Sequence, residues 1–283
     1  MTIWARNFSG LMVAFAISLV LFLAPSNIQP SSAQSIGSPA DSYQSEIRSS
    51  STFSLYLPLV SKTSGCPILN TETYGTIAPL SPPANPPAEI NPDLNLAMRG
   101  YISTTAILGL ITYGGGSDPY APQLPGLFTD NRTATFRAAY QVYDWIWLPG
   151  CNCRGAPITD WDVTLAGLLV RPTETIRVPS NATSIGSGYA VMVLYASTNR
   201  ITLKYTRDDN VVYGYTIHLE NICVEPRLLA LYQSTNAAGR GQLPALYAGQ
   251  GIGTAMSNEL GVAIRDTGSF MDPRSRKDWW QGR

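Results

Sequence analysis

Histidine is almost missing from this chain: His218 is the only copy among 283 residues. A metal site with two imidazole ligands is therefore excluded. Without a second histidine, a serine nucleophile is left with a Ser-Lys arrangement, and no Ser-x-x-Lys occurs after residue 132. The sequence thus argues against both zinc-peptidase and serine-hydrolase chemistry.

Charge is also sparse. Lys plus Arg and Asp plus Glu number 19 each, and charged residues make up only 13% of the chain. Recognition of phosphate needs a basic face, so this composition excludes nucleic-acid binding. The chain is instead rich in turn residues, with 24 Gly and 21 Pro, and it contains 15 Tyr. Such a composition is typical of an extracellular β protein with many turns.

The amino terminus has the pattern of a secretory signal. Residues 11–24 follow Arg6, are apolar and uncharged, and are too short to span a bilayer comfortably. Small residues then lead to Ala33, and we expect cleavage before Gln34. An uncleaved anchor is the alternative, although no basic flank follows to stop transfer. Residues 1–33 are therefore predicted to be a signal peptide, and the mature chain an extracytoplasmic protein with no membrane association.

Four cysteines, an even number in an oxidising compartment, favour two disulfides over free thiols. Cys151 and Cys153 are close in sequence, so we expect them not to pair with each other. One of them is predicted to bond to Cys66 and the other to Cys223. A four-thiolate zinc site is the alternative, but the usual C-x2-C spacing is absent.

The mature chain divides into three regions. Residues 34–52 have too little apolar content to offset the entropy of folding and are predicted to be a flexible linker. Residues 53–132 are expected to be an irregular Pro/Gly-rich region with an edge strand over 53–60 and an extended spacer over 79–92. The ordered β domain is predicted over 133–283.

Alternating apolar and polar residues predict strands in that domain. The predicted strands cover residues 189–196, 200–206, 211–219 and 259–265. Short turns join the first three into an antiparallel meander. Glu225-Pro226 is expected to begin a short helix that ends at Gly239. The predicted fold class is all-β, mainly antiparallel, with one short helix.

Five short segments, taken in order, resemble a known family. They are 155–158 (Gly-Ala-Pro-Ile), 188–195, 215–219 (ending Ile-His-Leu), 248–253 and 270–273 (Phe-Met-Asp-Pro). In this order they resemble the lysostaphin-type (LytM-like) zinc endopeptidases, which cut peptidoglycan cross-bridges. The resemblance covers roughly residues 136–280, and its first segment resembles the entry into the family's first core strand. It implies an endopeptidase-like β-sheet domain with a ligand-binding groove.

The resemblance does not extend to the family's zinc ligands. The family uses a His-x-x-x-Asp pair and a histidine of a His-x-His motif, which leave one position open for a metal-bound water. The His-x-x-x-Asp pair matches Tyr140 and Asp144, so the aspartate is kept and the histidine is replaced by tyrosine. The His-x-His motif matches a segment that begins at Glu259 and contains no histidine. Because two of the three ligands are absent, we expect a pseudoenzyme with no metal and no cofactor.

His218 falls where the family keeps a non-ligand histidine that helps to stabilise the transition state. Strand alternation puts its side chain on the face of Thr216 and Glu220, so we expect it to line the groove. Two interpretations stay open: a partly exposed histidine bonded to a neighbour, or an acid/base pair with a carboxylate. The candidate groove residues are Tyr140, Asp144, His218 and Glu259.

The tryptophans are the last notable feature. Trp145, Trp147 and Trp161 flank the first cysteine pair and form either a sugar-stacking platform or part of the core. Trp279-Trp280 either caps the edge of the sheet or binds a partner.

These patterns together predict a non-catalytic, secreted cell-envelope protein. It is expected to bind peptidoglycan or another cell-surface glycan or peptide, or to serve as a scaffold. The alternative is a β-sandwich carbohydrate-binding or adhesion domain.

Overall fold

The computed structural model describes residues 65–181 and 183–282, which fall within one folded unit, Val60–Arg283. The predicted signal peptide, the linker and the edge strand over 53–60 lie outside the described residues. The strands are β1 (Gly75–Ile77), β2 (Tyr101–Ser103), β3 (Phe136–Ile146), β4 (Cys153–Pro157), β5 (Leu165–Leu169), β6 (Thr175–Arg177), β7 (Val191–Ala196), β8 (Arg200–Lys204), β9 (Tyr215–Glu220), β10 (Ile222–Val224), β11 (Leu243–Leu246), β12 (Gly251–Ala255), β13 (Glu259–Asp266) and β14 (Ser269–Met271). The α-helices are α1 (Leu96–Arg99), α2 (Pro226–Ala237) and α3 (Arg276–Trp279), and two 3-10 turns cover Ala88–Ile90 and Leu124–Leu127.

Eleven of these strands form one sheet. Its order is β1-β11-β7-β8-β9-β13-β5-β3-β2, with β14 paired to β13 and β4 paired to β3. A second sheet has the order β10-β12-β6. Every pairing between these strands is antiparallel, which confirms the predicted all-β fold class.

The predicted meander is present as β7, β8 and β9. Each residue of β7 is buried, as expected of a central strand with an almost wholly apolar sequence. Strand β9 begins at Tyr215 and not at Val211, because the connecting loop runs on to Gly214, whose φ of 66° suits glycine. Val211 is buried all the same, since the loop folds back onto the core.

Helix α2 is confirmed with its predicted start. The Glu225 carboxylate accepts from the backbone N–H groups of Arg227 and Leu228, and Pro226 occupies the first helical position. The helix buries Leu228 and Tyr232 against the sheet and ends just before Gly239, which has a φ of 88°. Among the described residues, no helix is long and apolar enough to cross a bilayer.

The proline-rich region before residue 133 is part of the same sheet. Strand β1 pairs with β11, and β2 pairs with β3. Leu94, Leu124 and Phe128 from this region are almost fully buried in the main core. The expected boundary at 133 therefore does not divide the described structure, because prolines set the backbone there while the leucines between them supply core contacts.

The first segment of the family resemblance lies in an unexpected place. Residues 155–158 were expected to enter a core strand, but 155–157 end β4, which among the described strands pairs with β3 alone. Two other segments of the resemblance lie in β9 and β13, which are neighbours in the sheet with His218 opposite Ala263.

The expected disulfide pairing was wrong. Cys66 bonds to Cys223, with their Cα atoms 5.2 Å apart, and Cys151 bonds to Cys153 across a Cα separation of 5.0 Å. The second bond is possible because the chain turns sharply between β3 and β4, where Asn152 has a φ of 43°. Closeness in sequence therefore did not prevent the pair from forming. The Cys66–Cys223 bond does join the amino-terminal region to the later part of the domain, as expected.

Removing the Cys66–Cys223 bond should lower the free energy of unfolding by about 2–5 kcal/mol, because the bond restrains a long loop in the unfolded chain. The two cysteines are 157 residues apart in sequence. We expect the double variant Cys66→Ser/Cys223→Ser to show this loss in urea unfolding. Cys151→Ser/Cys153→Ser is the matched control and should lose far less, since its loop spans two residues. Equal losses in the two variants would contradict the loop argument.

Candidate functional site

Tyr140 and Glu259, two of the four predicted groove residues, are brought together. The Tyr140 hydroxyl donates to Glu259 Oε1 at 2.8 Å, and Arg137 Nε lies 3.6 Å from Oε2. Tyr140 on β3 and Glu259 on β13 meet over β5, the strand between them. Gly167 of β5 leaves room for this contact, because a Cβ there would lie only 2.8 Å from the Glu259 carboxyl carbon. Burial and the bond to Glu259 raise the pKa of Tyr140 to about 12. Tyr140 therefore remains a protonated donor at neutral pH.

Asp144 stands apart from that pair. Its side chain is 66% exposed, and its carboxylate lies 3.4 Å from Arg99 Nη1. This contact holds Asp144 at the rim of a cleft described below.

His218 does not line a groove, which corrects the prediction from strand alternation. The residue is 1% exposed, and its ring stacks on Phe270 at a centroid distance of 6.1 Å. Alternation assigned it correctly to a face of β9, but residues on both faces of that strand are buried. The same burial excludes the interpretation of a partly exposed histidine.

The protonation of the His218 ring follows from its neighbour. The Thr202 hydroxyl lies 2.6 Å from the Leu94 carbonyl oxygen, to which it must give its only proton. The contact of 3.0 Å between Thr202 Oγ1 and His218 Nδ1 therefore needs the proton on Nδ1. Nε2 is then an unprotonated nitrogen with no hydrogen-bond partner among the described residues.

The neutral state of His218 predicts a loss of stability in acid. Burial, with a further contribution from Arg265, lowers the pKa of His218 well below its usual value. The unfolded chain therefore binds a proton that the folded chain does not. The free energy of unfolding should fall by about 2 kcal/mol between pH 7 and pH 5, as pH drops below the ordinary histidine pKa.

The control for this pH effect is His218→Gln, which keeps a hydrogen-bonding group near Thr202 but has no imidazole. Glu220, whose pKa is raised by burial, titrates in both proteins, so the difference between them isolates His218. Urea unfolding at several pH values measures it. A variant with the same pH dependence as the wild type would contradict the assignment.

The four predicted residues are thus not joined into one hydrogen-bonded group in the part of the chain that the structure describes. No hydrogen bond or ion pair between described residues joins Asp144, His218 and Glu259 to one another. The described part of the chain also has no group of three or more His, Cys, Asp or Glu side chains placed to hold a metal ion. The site with the most chemistry lies next to Asp144 instead.

A cleft of about 510 Å³ opens beside Asp144. The residues that line it include Arg99, Asp144, Ile158, Asp160, Arg265 and Phe270. The side chains of Arg99 and Arg265 are only 4% and 6% exposed, so their guanidinium groups form its floor. We call this the Arg99–Arg265 cleft.

The two guanidinium groups share a single close carboxylate. Both donate to Asp93 Oδ1 at 2.8 Å, Arg99 through Nη2 and Arg265 through Nη1. They also lie over the Phe270 ring, with their central carbons 5.6 and 4.7 Å from its centroid. Burial raises the pKa of Asp93, but the two arginines outweigh it and hold that pKa below its usual value.

A second hollow, of about 660 Å³, lies around Arg132. It is larger, but its two arginines, Arg132 and Arg171, face two carboxylates, Asp130 and Glu174. Arg132 Nη1 lies 3.0 Å from Asp130 and 2.5 Å from Glu174. The same guanidinium stacks on Phe128 at 4.1 Å. Because its charge is balanced, this hollow is a weaker candidate and serves below as a control.

The three flanking tryptophans do not form one platform. Trp145 and Trp147 are neighbours on the β3–β4 hairpin, with ring centroids 6.4 Å apart, whereas Trp161 packs against Tyr113 at 5.0 Å. Trp147 is 49% exposed, and Trp145 Nε1 donates to Asn152 Oδ1 at 3.0 Å. The hairpin thus carries two of the three rings, Trp145 and Trp147, and the Trp147 ring is the exposed one.

Sequence reasoning missed Arg99, Arg265 and Phe270 as site residues. Arg99 ends the short helix α1, and Arg265 lies near the end of β13. A signal was present: charged residues are rare in this chain, and Arg265 follows the apolar run Val262-Ala263-Ile264. A charge in such a position is expected to have a specific partner.

The comparisons with known proteins found no matching family model, no matching curated protein and no matching solved structure.

Proposed function

We propose that this chain is a non-catalytic module of the cell envelope that binds a wall polymer, peptidoglycan or another surface glycan or peptide, through the Arg99–Arg265 cleft. One observation carries the proposal: two buried arginines converge on the floor of an open cleft and share one close carboxylate. Buried charges are costly unless they are paired, so such an arrangement is typical of binding sites.

Two further observations support a binding role without hydrolysis. The chain has one histidine, so the ligands of a lysostaphin-type site are not available in its sequence. That histidine is enclosed behind Phe270, where a substrate in the cleft has no direct access to it. Relationship to the endopeptidases remains part of the proposal, and the adjacency of β9 and β13 supports it.

Export is the second part of the proposal. The amino terminus has an uncharged apolar run followed by small residues, as secretory signals do. The Cys66–Cys223 bond fits an oxidising compartment. Together they favour an extracytoplasmic location, where wall polymers are accessible.

Co-sedimentation with isolated peptidoglycan tests the binding. We expect the purified chain to pellet with the polymer and Arg265→Lys to remain largely in the supernatant, because lysine lacks the planar fork of arginine. Arg132→Lys, in the charge-balanced hollow, is the matched control and should pellet like the wild type. Circular dichroism confirms that each variant is folded. Equal pelleting of the wild type and Arg265→Lys would rule out the cleft as the binding site.

A carbohydrate-binding or adhesion domain is the second candidate, and the pair of half-buried Trp145 and exposed Trp147 favours it. Aromatic rings stack on sugar faces, and residues 145–153 carry no charge, which suits a neutral polysaccharide. For this candidate, Trp147→Ala should abolish binding to insoluble chitin or cellulose while Arg265→Lys retains it. Full retention by Trp147→Ala would exclude the hairpin.

A further inference from the structure

The floor of the Arg99–Arg265 cleft has hydrogen-bond donors to spare. Each guanidinium carries five N–H bonds. Arg99 uses four of them, with acceptors on Pro92, Asp93, Tyr143 and Asp144. Arg265 uses three, two with Gly268 and one with Asp93. Three N–H bonds therefore have no acceptor among the described residues.

The two guanidinium groups of the floor outnumber the one carboxylate that they share. Within the described ranges, Asp93 is the only carboxylate that forms an ion pair with both arginines, whereas Asp144 is exposed and lies 3.4 Å from Arg99. Burial and the neighbouring Arg99 lower the pKa of Arg265 in spite of Asp93 and Asp144. A bound anion would add a second negative partner for the two guanidinium groups of the floor.

The shape and surroundings of the cleft select among anions. Two guanidinium groups match a planar carboxylate, which accepts paired N–H bonds. Asp144 and Asp160 at the rim repel every anion, a doubly charged one such as phosphate more strongly than a carboxylate, and they attract an ammonium group. Phe270 and Ile158 add apolar contacts for a short side chain.

We infer that the Arg99–Arg265 cleft binds the free carboxylate of a peptide, with the carboxylate on the two guanidinium groups and a nearby ammonium group facing Asp144. This inference rests on the proposed function and names the chemical group that the cleft recognises. The ligand class is thus a short peptide, or a peptide end, that carries both a carboxylate and a nearby ammonium group, rather than an uncharged sugar.

Binding of small peptides by isothermal titration calorimetry tests the inference. The probes are alanyl-alanine in its L and D forms, the same dipeptides as carboxyl-terminal amides, and inorganic phosphate. We expect one free dipeptide to bind and its amide to bind about tenfold or more weakly, since charge-assisted hydrogen bonds are lost. Phosphate should not compete. Equal binding of dipeptide and amide, or displacement by phosphate, would overturn the inference.

Variants locate the binding. Arg99→Lys should weaken the dipeptide about tenfold or more because a fork of donors becomes a point charge, and Arg132→Lys should leave it unchanged. Asp144→Asn changes an exposed residue, so the fold is not at risk. It should reduce the preference for the free dipeptide over its N-acetyl form, which lacks the ammonium group. An unchanged preference in Asp144→Asn would contradict the assigned orientation.

The two proposals fail in different ways. If the chain pellets with peptidoglycan and Arg265→Lys does not, but no dipeptide binds, the carboxylate inference is wrong and the proposed function stands. If neither the polymer nor a dipeptide binds, both are wrong.

Discussion

Arg240→Ala should unfold at a much lower denaturant concentration than the wild type, with a loss of about 3–5 kcal/mol in the free energy of unfolding. Arg240 Nη2 and Nε lie 2.6 and 2.7 Å from the two carboxylate oxygens of Asp209, and Arg240 also donates to the Leu194 carbonyl and to Asn236. The side chains of Arg240 and Asp209 are 6% and 0% exposed. The variant would leave the Asp209 carboxylate buried without its cation.

The matched control is Arg227→Ala. Arg227 also forms an ion pair, with the buried Glu225, but the Arg227 side chain is itself 45% exposed, so water partly screens the interaction. Without the Arg227 side chain, the Glu225 carboxylate still accepts two backbone N–H groups at the start of α2. We expect its effect on unfolding to be much smaller than that of Arg240→Ala. Similar losses in the two variants would show that burial does not determine the strength of the Arg240 pair. Guanidinium unfolding followed by circular dichroism measures both.

Trp279→Ala should also cost about 3–5 kcal/mol of unfolding free energy, because a large buried ring is removed. Trp279 is 1% exposed, its indole N–H donates to the Asp272 carbonyl at 2.8 Å, and its ring meets Tyr215 edge-on at 5.6 Å. Trp280 is also buried, at 6% exposure. The aromatic end of the chain therefore packs into the core instead of being held out for a partner.

Trp147→Ala provides the comparison for Trp279→Ala. Its ring is 49% exposed on the hairpin, so the change in stability should stay within about 0.5 kcal/mol. Thermal and urea unfolding of both variants measure the difference. A small loss in Trp279→Ala would contradict its place in the core.

The central strands were predictable because their signals are local. Residues 189–196 are almost wholly apolar and contain the buried strand β7 (Val191–Ala196), and the alternation over 200–206 locates β8. Glu225-Pro226 predicts the start of α2 by capping chemistry alone. In each case, neighbours in sequence decide the structure.

The disulfides and the domain boundary were not predictable in this way. Cys66 lies next to Cys223 because segments that are distant in sequence pack together, and the spacing of the cysteines in the sequence does not predict this packing. The many prolines before residue 133 led to the prediction of an irregular region, although leucines of that region are buried in the main core. Both depend on tertiary contacts.

The candidate site shows the same limit. Asp144 was predicted and does line the cleft, but Arg99 and Arg265 converge from segments 166 residues apart in numbering, brought together by Asp93. Alternation along β9 identified the face of His218, whereas its burial depends on Phe270 from a later strand. Side-chain direction is local, but what covers a side chain is not.

The central claim is that this chain binds the wall without cutting it. Release of soluble fragments from labelled peptidoglycan, incubated with the purified chain and added Zn²⁺, tests the claim most directly. We predict that the chain pellets with the polymer and that release equals that of buffer alone. Release above the buffer value that depends on the protein would contradict the claim.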